Sequence, residues 1–200
     1  MNPPPVPVTA RKSRSWIIVV LTFLALIVAG GLGGLAALKV SGLGGLYRIP
    51  SNGMSSELIP GDHVFVEGIS VKSGGLKRGT IVVFATDHIS WLNQKADFTM
   101  RIVGLPGEKL RIADEKLHID GEVVEIANSE GRLRYAAPAP VPSAKTLFTD
   151  VTIPEGHCYV LGDNTDNSLD SRYWGFVPLK DVIGRVRFRY WSPSRMGFVQ

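Results

Sequence analysis

Gly162-Asp163-Asn164-Thr165-Asp166-Asn167-Ser168-Leu169-Asp170-Ser171-Arg172-Tyr173-Trp174-Gly175-Phe176-Val177-Pro178 is the most distinctive stretch of this 200-residue chain. Its carboxylates, amides and hydroxyls can accept from neighbouring backbone N–H and guanidinium donors, so it reads as a loop that satisfies its own polar groups. Runs rich in β-branched and aromatic residues lie on either side, residues 158–161 before it and 184–191 after it. The loop therefore connects strands. Asp163, Asp166 and Asp170 suggest calcium by composition, but their spacing lacks the glycine and terminal glutamate of an EF-hand loop, and no metal is expected.

Upstream, residues 63–66, 81–84, 98–103, 109–112, 116–119 and 122–126 have the same short, β-branched character. They read as further strands, and Asp120-Gly121 between two of them is a tight-turn signal. After residue 38 no long stretch has helical periodicity, so the body is expected to be mainly β. Pro138, Pro140 and Pro142 mark a loop inside residues 108–154. That region is the candidate small inserted β-subdomain, and residues 39–107 with 155–200 form the main β-domain. Arg185, Arg187 and Arg189 alternate with Val186, Phe188 and Tyr190, which predicts a strand with its cations facing solvent. The alternation offers too little basic area for nucleic acid.

The N-terminal part has a different chemistry. Residues 1–15 hold four prolines and the cations Arg11, Lys12 and Arg14, and read as a tail; residues 16–38 carry no charge. Such a run is long enough for a transmembrane helix and too long for the apolar core of a cleaved signal peptide. The basic cluster before it predicts a cytoplasmic tail and a body on the outer side. Residues 40–48 are expected to be a glycine-rich connector, with Leu43, Leu46 and Tyr47 against membrane lipid. The formal charge of +4 comes largely from these topogenic cations. Cys158 is the only cysteine, and His63, His88, His118 and His157 have no zinc spacing, so no metal or cofactor is expected.

Four segments together resemble type I signal peptidases, the membrane-anchored Ser/Lys proteases that remove signal peptides from exported proteins. They are residues 49–62, 77–84, the stretch 98–107 with Arg101-Ile102-Val103-Gly104-Leu105-Pro106-Gly107, and the loop 162–178. The resemblance implies a large catalytic β-domain with a small inserted β-domain, working at the surface of the bacterial cytoplasmic membrane as a single-pass protein. It also implies a serine nucleophile with a neutral lysine as its base. In this chain the serine position is Gly53 and the lysine position is Met100. Neither side chain can exchange a proton. Ser51 matches the residue whose hydroxyl serves the oxyanion hole, with the Gly53 N–H as the second donor. Asp163, Asn164, Ser168, Asp170 and Arg172 match the residues that support the site. Ser56 and Glu57 replace a proline and a threonine, Thr80 replaces an aspartate, and Glu57 is expected to bring a charge beside the cleft.

The resulting expectation is a relative that binds exported preproteins or pilus-like substrates, or partners an active signal peptidase, without cleaving. The alternative is an active signal peptidase with a relocated nucleophile (Ser51, Ser55 or Ser56) or a relocated base (Lys95, His63 or His88). Displacing a hydroxyl by two residues along an extended chain moves it roughly 6.5 Å, which is outside the tolerance of acyl transfer.

Overall fold

The computed structural model describes residues 15–40, 42–89, 92, 95–135 and 148–199. The expected tail and the loop of Pro138, Pro140 and Pro142 lie outside the described residues. In chain order the elements are α1 (Ser15–Val40), β1 (Gly44–Arg48), β2 (His63–Glu67), α2 (Ile69–Lys72), β3 (Ile81–Ala85), β4 (Asp97–Gly104), β5 (Lys109–Ala113), β6 (Lys116–Ile119) and β7 (Glu122–Val124). They continue as β8 (Ala127–Asn128), β9 (Gly131–Arg132), β10 (Asp150–Thr152), β11 (His157–Leu161), α3 (Ser171–Trp174), β12 (Val177–Pro178), β13 (Val182–Trp191) and β14 (Gly197–Phe198). The body is mainly β, as the alternating apolar runs predict.

One eight-stranded sheet runs β1-β2-β13-β3-β4-β11-β12, with β14 added to β13; a four-stranded sheet runs β10-β5-β6-β7, and β8 pairs with β9. Strand alternation divides the apolar side chains between two cores. Val64, Val66, Val82, Phe84, Met100 and Ile102 pack in the first; Val103, Leu110, Leu117, Ile119, Tyr159 and Leu161 pack in the second. On β4 this sends Met100 and Ile102 to one face and Arg101 and Val103 to the other. The β6–β7 hairpin turns on Asp120 and Gly121, both with positive φ (53° and 89°), as a two-residue turn requires.

Two expectations are corrected here. Residues 44–48 are not part of a connector: they form β1, paired in register from Gly44 with Glu67 to Arg48 with His63. A Cβ at Gly44 would stand 2.9 Å from the Val66 carbonyl oxygen, so the glycine permits the close approach that makes the strand. Arg189 does not face solvent either. Its Nη1 donates to the Glu57 carbonyl at 2.7 Å and its Nε donates to the Arg195 carbonyl.

α1 is a 26-residue helix, and the apolar run predicted as a span lies within it. Among the described residues no helix is long and apolar enough to cross a membrane.

Candidate functional site

A cleft of about 510 Å³ opens between three segments: Ile49, Pro50, Ser51, Asn52, Gly53 and Met54 on one side, Ala96 with Asp97 through Met100 of β4, and Asn167, Ser168 and Leu169 from the polar loop. The loop carrying Gly53 is held from within. Ile49 N donates to Asp62 O, Gly61 N returns to Ile49 O, and Leu58 N donates to Met54 O, each at 2.9 Å. Met54 and Leu58 are buried, which anchors this single turn in the first core. At the far end Asp62 accepts from Ile59 N at 3.0 Å and from the Arg195 guanidinium at 2.7 Å.

The polar loop docks on this turn through Asn164. Its backbone N–H donates to Gly53 O and its Nδ2 donates to Asn52 O, both at 3.1 Å. Gly162 lies directly beneath: a Cβ there would collide with Ser168 Oγ and the Gly53 carbonyl. Behind the loop are two buried ion pairs. Arg101 Nε and Nη2 reach the two oxygens of Asp163 at 2.8 and 2.6 Å, and Arg101 Nη1 donates to Gly79 O at 2.7 Å. Arg172 Nε and Nη2 each reach Asp170 at 2.8 Å, and Asp170 also accepts from Gly162 N at 3.2 Å. All four side chains are at most 1% exposed. Burial alone would lower both guanidinium pKa values, but the bonds to Asp163 and Asp170 reverse this and hold them above normal.

The structure brings Ser51, Gly53, Met100 and Ser168 to one cleft and places Asp163, Asn164, Asp170 and Arg172 around it. Met100 is 6% exposed and belongs to the first core. Ser168 Oγ is buried without a hydrogen-bond partner among the described residues, and it is the one atom within 4 Å of a Cβ placed at Gly53, at 3.7 Å. No described residue takes up the Gly53 N–H. The Ser51 hydroxyl and the Gly53 N–H thus both belong to the cleft lining, and of the lining residues only Asp97 is ionisable.

Most of the relocated groups considered above lie elsewhere. Ser55 and Ser56 line a separate shallow pocket with Ile59, Glu130, Asn164 and Arg195. Lys95 is 85% exposed and sits 3.1 Å from Asp87, His63 packs on Tyr190, and His88 lies between Phe84, Trp174 and Asp181. Of that set only Ser51 reaches the cleft.

The expectation for Glu57 is corrected: it does not line the cleft, and its Oε2 accepts from Ser129 N at 2.8 Å while Ser56 Oγ accepts from Asn128 Nδ2 at 2.6 Å. Positions 56 and 57 tie the loop to the β8–β9 turn. Sequence reasoning gave no role to Arg101, Asn128 or Arg195. Arg101 had a signal, since a lone cation inside an apolar strand needs a buried partner. Asn128 and Arg195 had none.

The family model for signal peptidase, peptidase S26, matches residues 14–191. The chain belongs to this family. A probable signal peptidase I-2 of Synechocystis is 35% identical over 152 residues, covering 76% of this chain and 65% of that protein, so the match spans just under two thirds of the relative's length. Signal peptidase I of Leptolyngbya laminosa is 34% identical over 153 residues, covering 74% of this chain and 70% of that protein. A crystal structure of a signal peptidase I from Enterococcus faecalis aligns with a TM-score of 0.41 at 28% identity, covering 55% of this chain and 95% of that one.

Proposed function

We propose that this signal peptidase family member binds an extended segment of an exported protein in its cleft and does not cut it. The observation that carries this reading is that Gly53 and Met100 line one cleft, at the positions that the family resemblance assigns to nucleophile and base. Acyl transfer needs a nucleophile and a group to take its proton, and neither residue supplies one. The binding half of the machinery has a physical basis. β4 pairs with β3 from Asp97 to Arg101 but with β11 only from Arg101 to Gly104, which leaves the Asp97–Thr99 edge to accept an added strand beside the cleft. Apolar walls from Ile49, Phe98, Met100 and Leu169 suit side chains pointing inward from that strand.

α1 is the membrane anchor in this reading. Its 26 residues measure about 39 Å at the rise of an α-helix, more than a bilayer core of about 30 Å, and residues 16–38 carry no charge. With Arg11, Lys12 and Arg14 ahead of it, the body lies on the outer side of the cytoplasmic membrane. Exported preproteins, pilus-like subunits and an active signal peptidase are the partners available there.

The test uses the full chain in detergent micelles, with a photo-crosslinker at Thr99 and a purified preprotein. A crosslink to the preprotein with no mature product by mass spectrometry supports the reading. Mature product that disappears on Ser51→Ala refutes it in favour of a relocated nucleophile.

A further inference from the structure

We infer that Asp97 selects a bound segment with a cationic side chain, so that lysine or arginine stands opposite it at the cleft while the residues on either side face the apolar wall. The inference rests on the proposed peptide-binding role of the cleft and names the class of segment it takes.

The backbone fixes where such a side chain would stand. Thr86 N donates to Ala96 O at 3.1 Å and Ile102 N donates to Thr80 O at 2.8 Å, so the even-numbered residues from 96 to 102 turn their backbone groups toward β3. Asp97 and Thr99 turn theirs the other way, to the edge that β11 leaves free before Arg101. A strand added there bonds to these two residues. Its side chains opposite Asp97 and Thr99 share their face of the sheet, and those in between share the face of Phe98 and Met100. One set of side chains thus packs on the apolar groups, and the other set stands beside Asp97.

Asp97 is exposed, and its carboxylate makes no ion pair or side-chain hydrogen bond with any described residue. Lys95, two residues before it, is held by Asp87 at 3.1 Å. The other polar residues of the lining, Ser51, Asn52, Thr99, Asn167 and Ser168, are neutral, and no cation lines the cleft. An incoming ammonium or guanidinium group therefore meets one negative charge and no positive one. A carboxylate tip is repelled, and a neutral hydroxyl or amide makes a weaker bond to Asp97 than a charged donor does. Because Asp97 is exposed, the pair forms without stripping either charge of its water, so the desolvation that opposes buried ion pairs is small here.

The experiment measures binding of three capped nonapeptides to the full chain in zwitterionic detergent micelles by isothermal titration calorimetry. Valine alternates with threonine along each peptide, and the central residue, on the threonine face, is Lys, norleucine or Glu. Norleucine has the alkyl chain of lysine without its charge, so the ratio of the two affinities isolates the ion pair. At low salt the Lys peptide is expected to bind about threefold more tightly than the norleucine peptide, the worth of an opposite-charge cross-strand pair, and the Glu peptide more weakly than both. Raising the salt from about 50 mM to about 500 mM should bring the Lys and norleucine affinities together, and this arm needs no substitution. In Asp97→Asn the Lys to norleucine ratio should fall to about one, and in Asp97→Lys the Glu peptide should bind best of the three. Equal Lys and norleucine affinities at low salt in the unaltered chain, or a Lys preference that survives Asp97→Asn, overturns the inference alone. Failure of all three peptides to bind overturns the peptide-binding reading as well.

Discussion

Placing a serine at position 53 and a lysine at position 100 is the most demanding test of the proposed reading of the cleft. At Gly53 the structure leaves room for a serine, because among the described residues an added Cβ has a single neighbour within 4 Å, at 3.7 Å, and the backbone there is not in the left-handed region. At Met100, 6% exposed, a lysine amine would be desolvated against the first core. Asp97 lies on the same strand but at odd spacing, hence on the other face, so no carboxylate on its own face would hold Lys at 100 charged. Burial of this degree lowers a lysine pKa from about 10.4 to about 8, which raises its neutral fraction at pH 8 from about 1 in 250 to about one half. That factor of about a hundred enters the rate directly, and nucleophile and base act as a unit whose loss costs a factor on the order of a million. The Gly53→Ser, Met100→Lys double variant should therefore cleave a preprotein at least about a thousandfold faster than either single variant. The rate, followed by mass spectrometry from pH 6 to 10, should rise through an apparent pKa well below that of free lysine. A double variant with unchanged thermal stability that still binds the preprotein but yields no product would refute this account of the cleft. So would a Gly53→Ser single variant as active as the double.

Asp163→Asn leaves the Arg101 guanidinium buried without its counter-charge and should destabilise the fold by about 3–5 kcal/mol in denaturant titration. Glu57→Ala strips the acceptor from Ser129 N and should cost about 1–3 kcal/mol, yet leave peptide affinity unchanged because Glu57 faces away from the cleft. Gly162→Ala forces a methyl group into Ser168 and the Gly53 carbonyl, so crosslinking from Thr99 should fall together with the melting temperature. Burial lowers the His88 pKa below its ordinary 6.5 despite the nearby Asp181, so the unfolded chain takes up the proton first as pH falls. The stability tied to neutral His88 is present above pH 6.5 and is lost as pH drops from there towards the folded value; His88→Phe should reduce the fall in melting temperature between pH 7.5 and 5.5.

The strands that follow the period-2 pattern were legible, as was the Asp120-Gly121 turn, because these features are local. β1 was not, since Gly44 and Gly45 lower strand propensity and only the approach of Val66 explains them. The β5–β6 turn was equally hidden: Asp114 and Glu115 both take positive φ (52° and 58°) without a glycine to announce it. Within the site, Gly53 and Met100 were picked out in the chain and both line the cleft, but the partners of Ser56 and Glu57 lie 72 residues away on the β8–β9 turn. A contact of that separation leaves no trace in local composition, and a glutamate three residues from buried Met54 was easily mistaken for an intruder in the cleft.

The residues around the cleft divide by what the fold loses without them. Asp163, Asp170 and Arg172 each hold a buried charge or an otherwise unmet backbone group, and Asn164 ties the Gly53 turn to the loop. Removing any of them harms the body itself. A catalytic pair has the opposite property: a neutral lysine in a core is held there at the expense of its solvation, and a reactive serine hydroxyl supports no packing. Methionine at position 100 buries an apolar chain in the same core, and glycine at 53 leaves the bonds from Asn164 and the turn 54–58 intact. Glycine at 53 and methionine at 100 are thus both compatible with the shape of this scaffold.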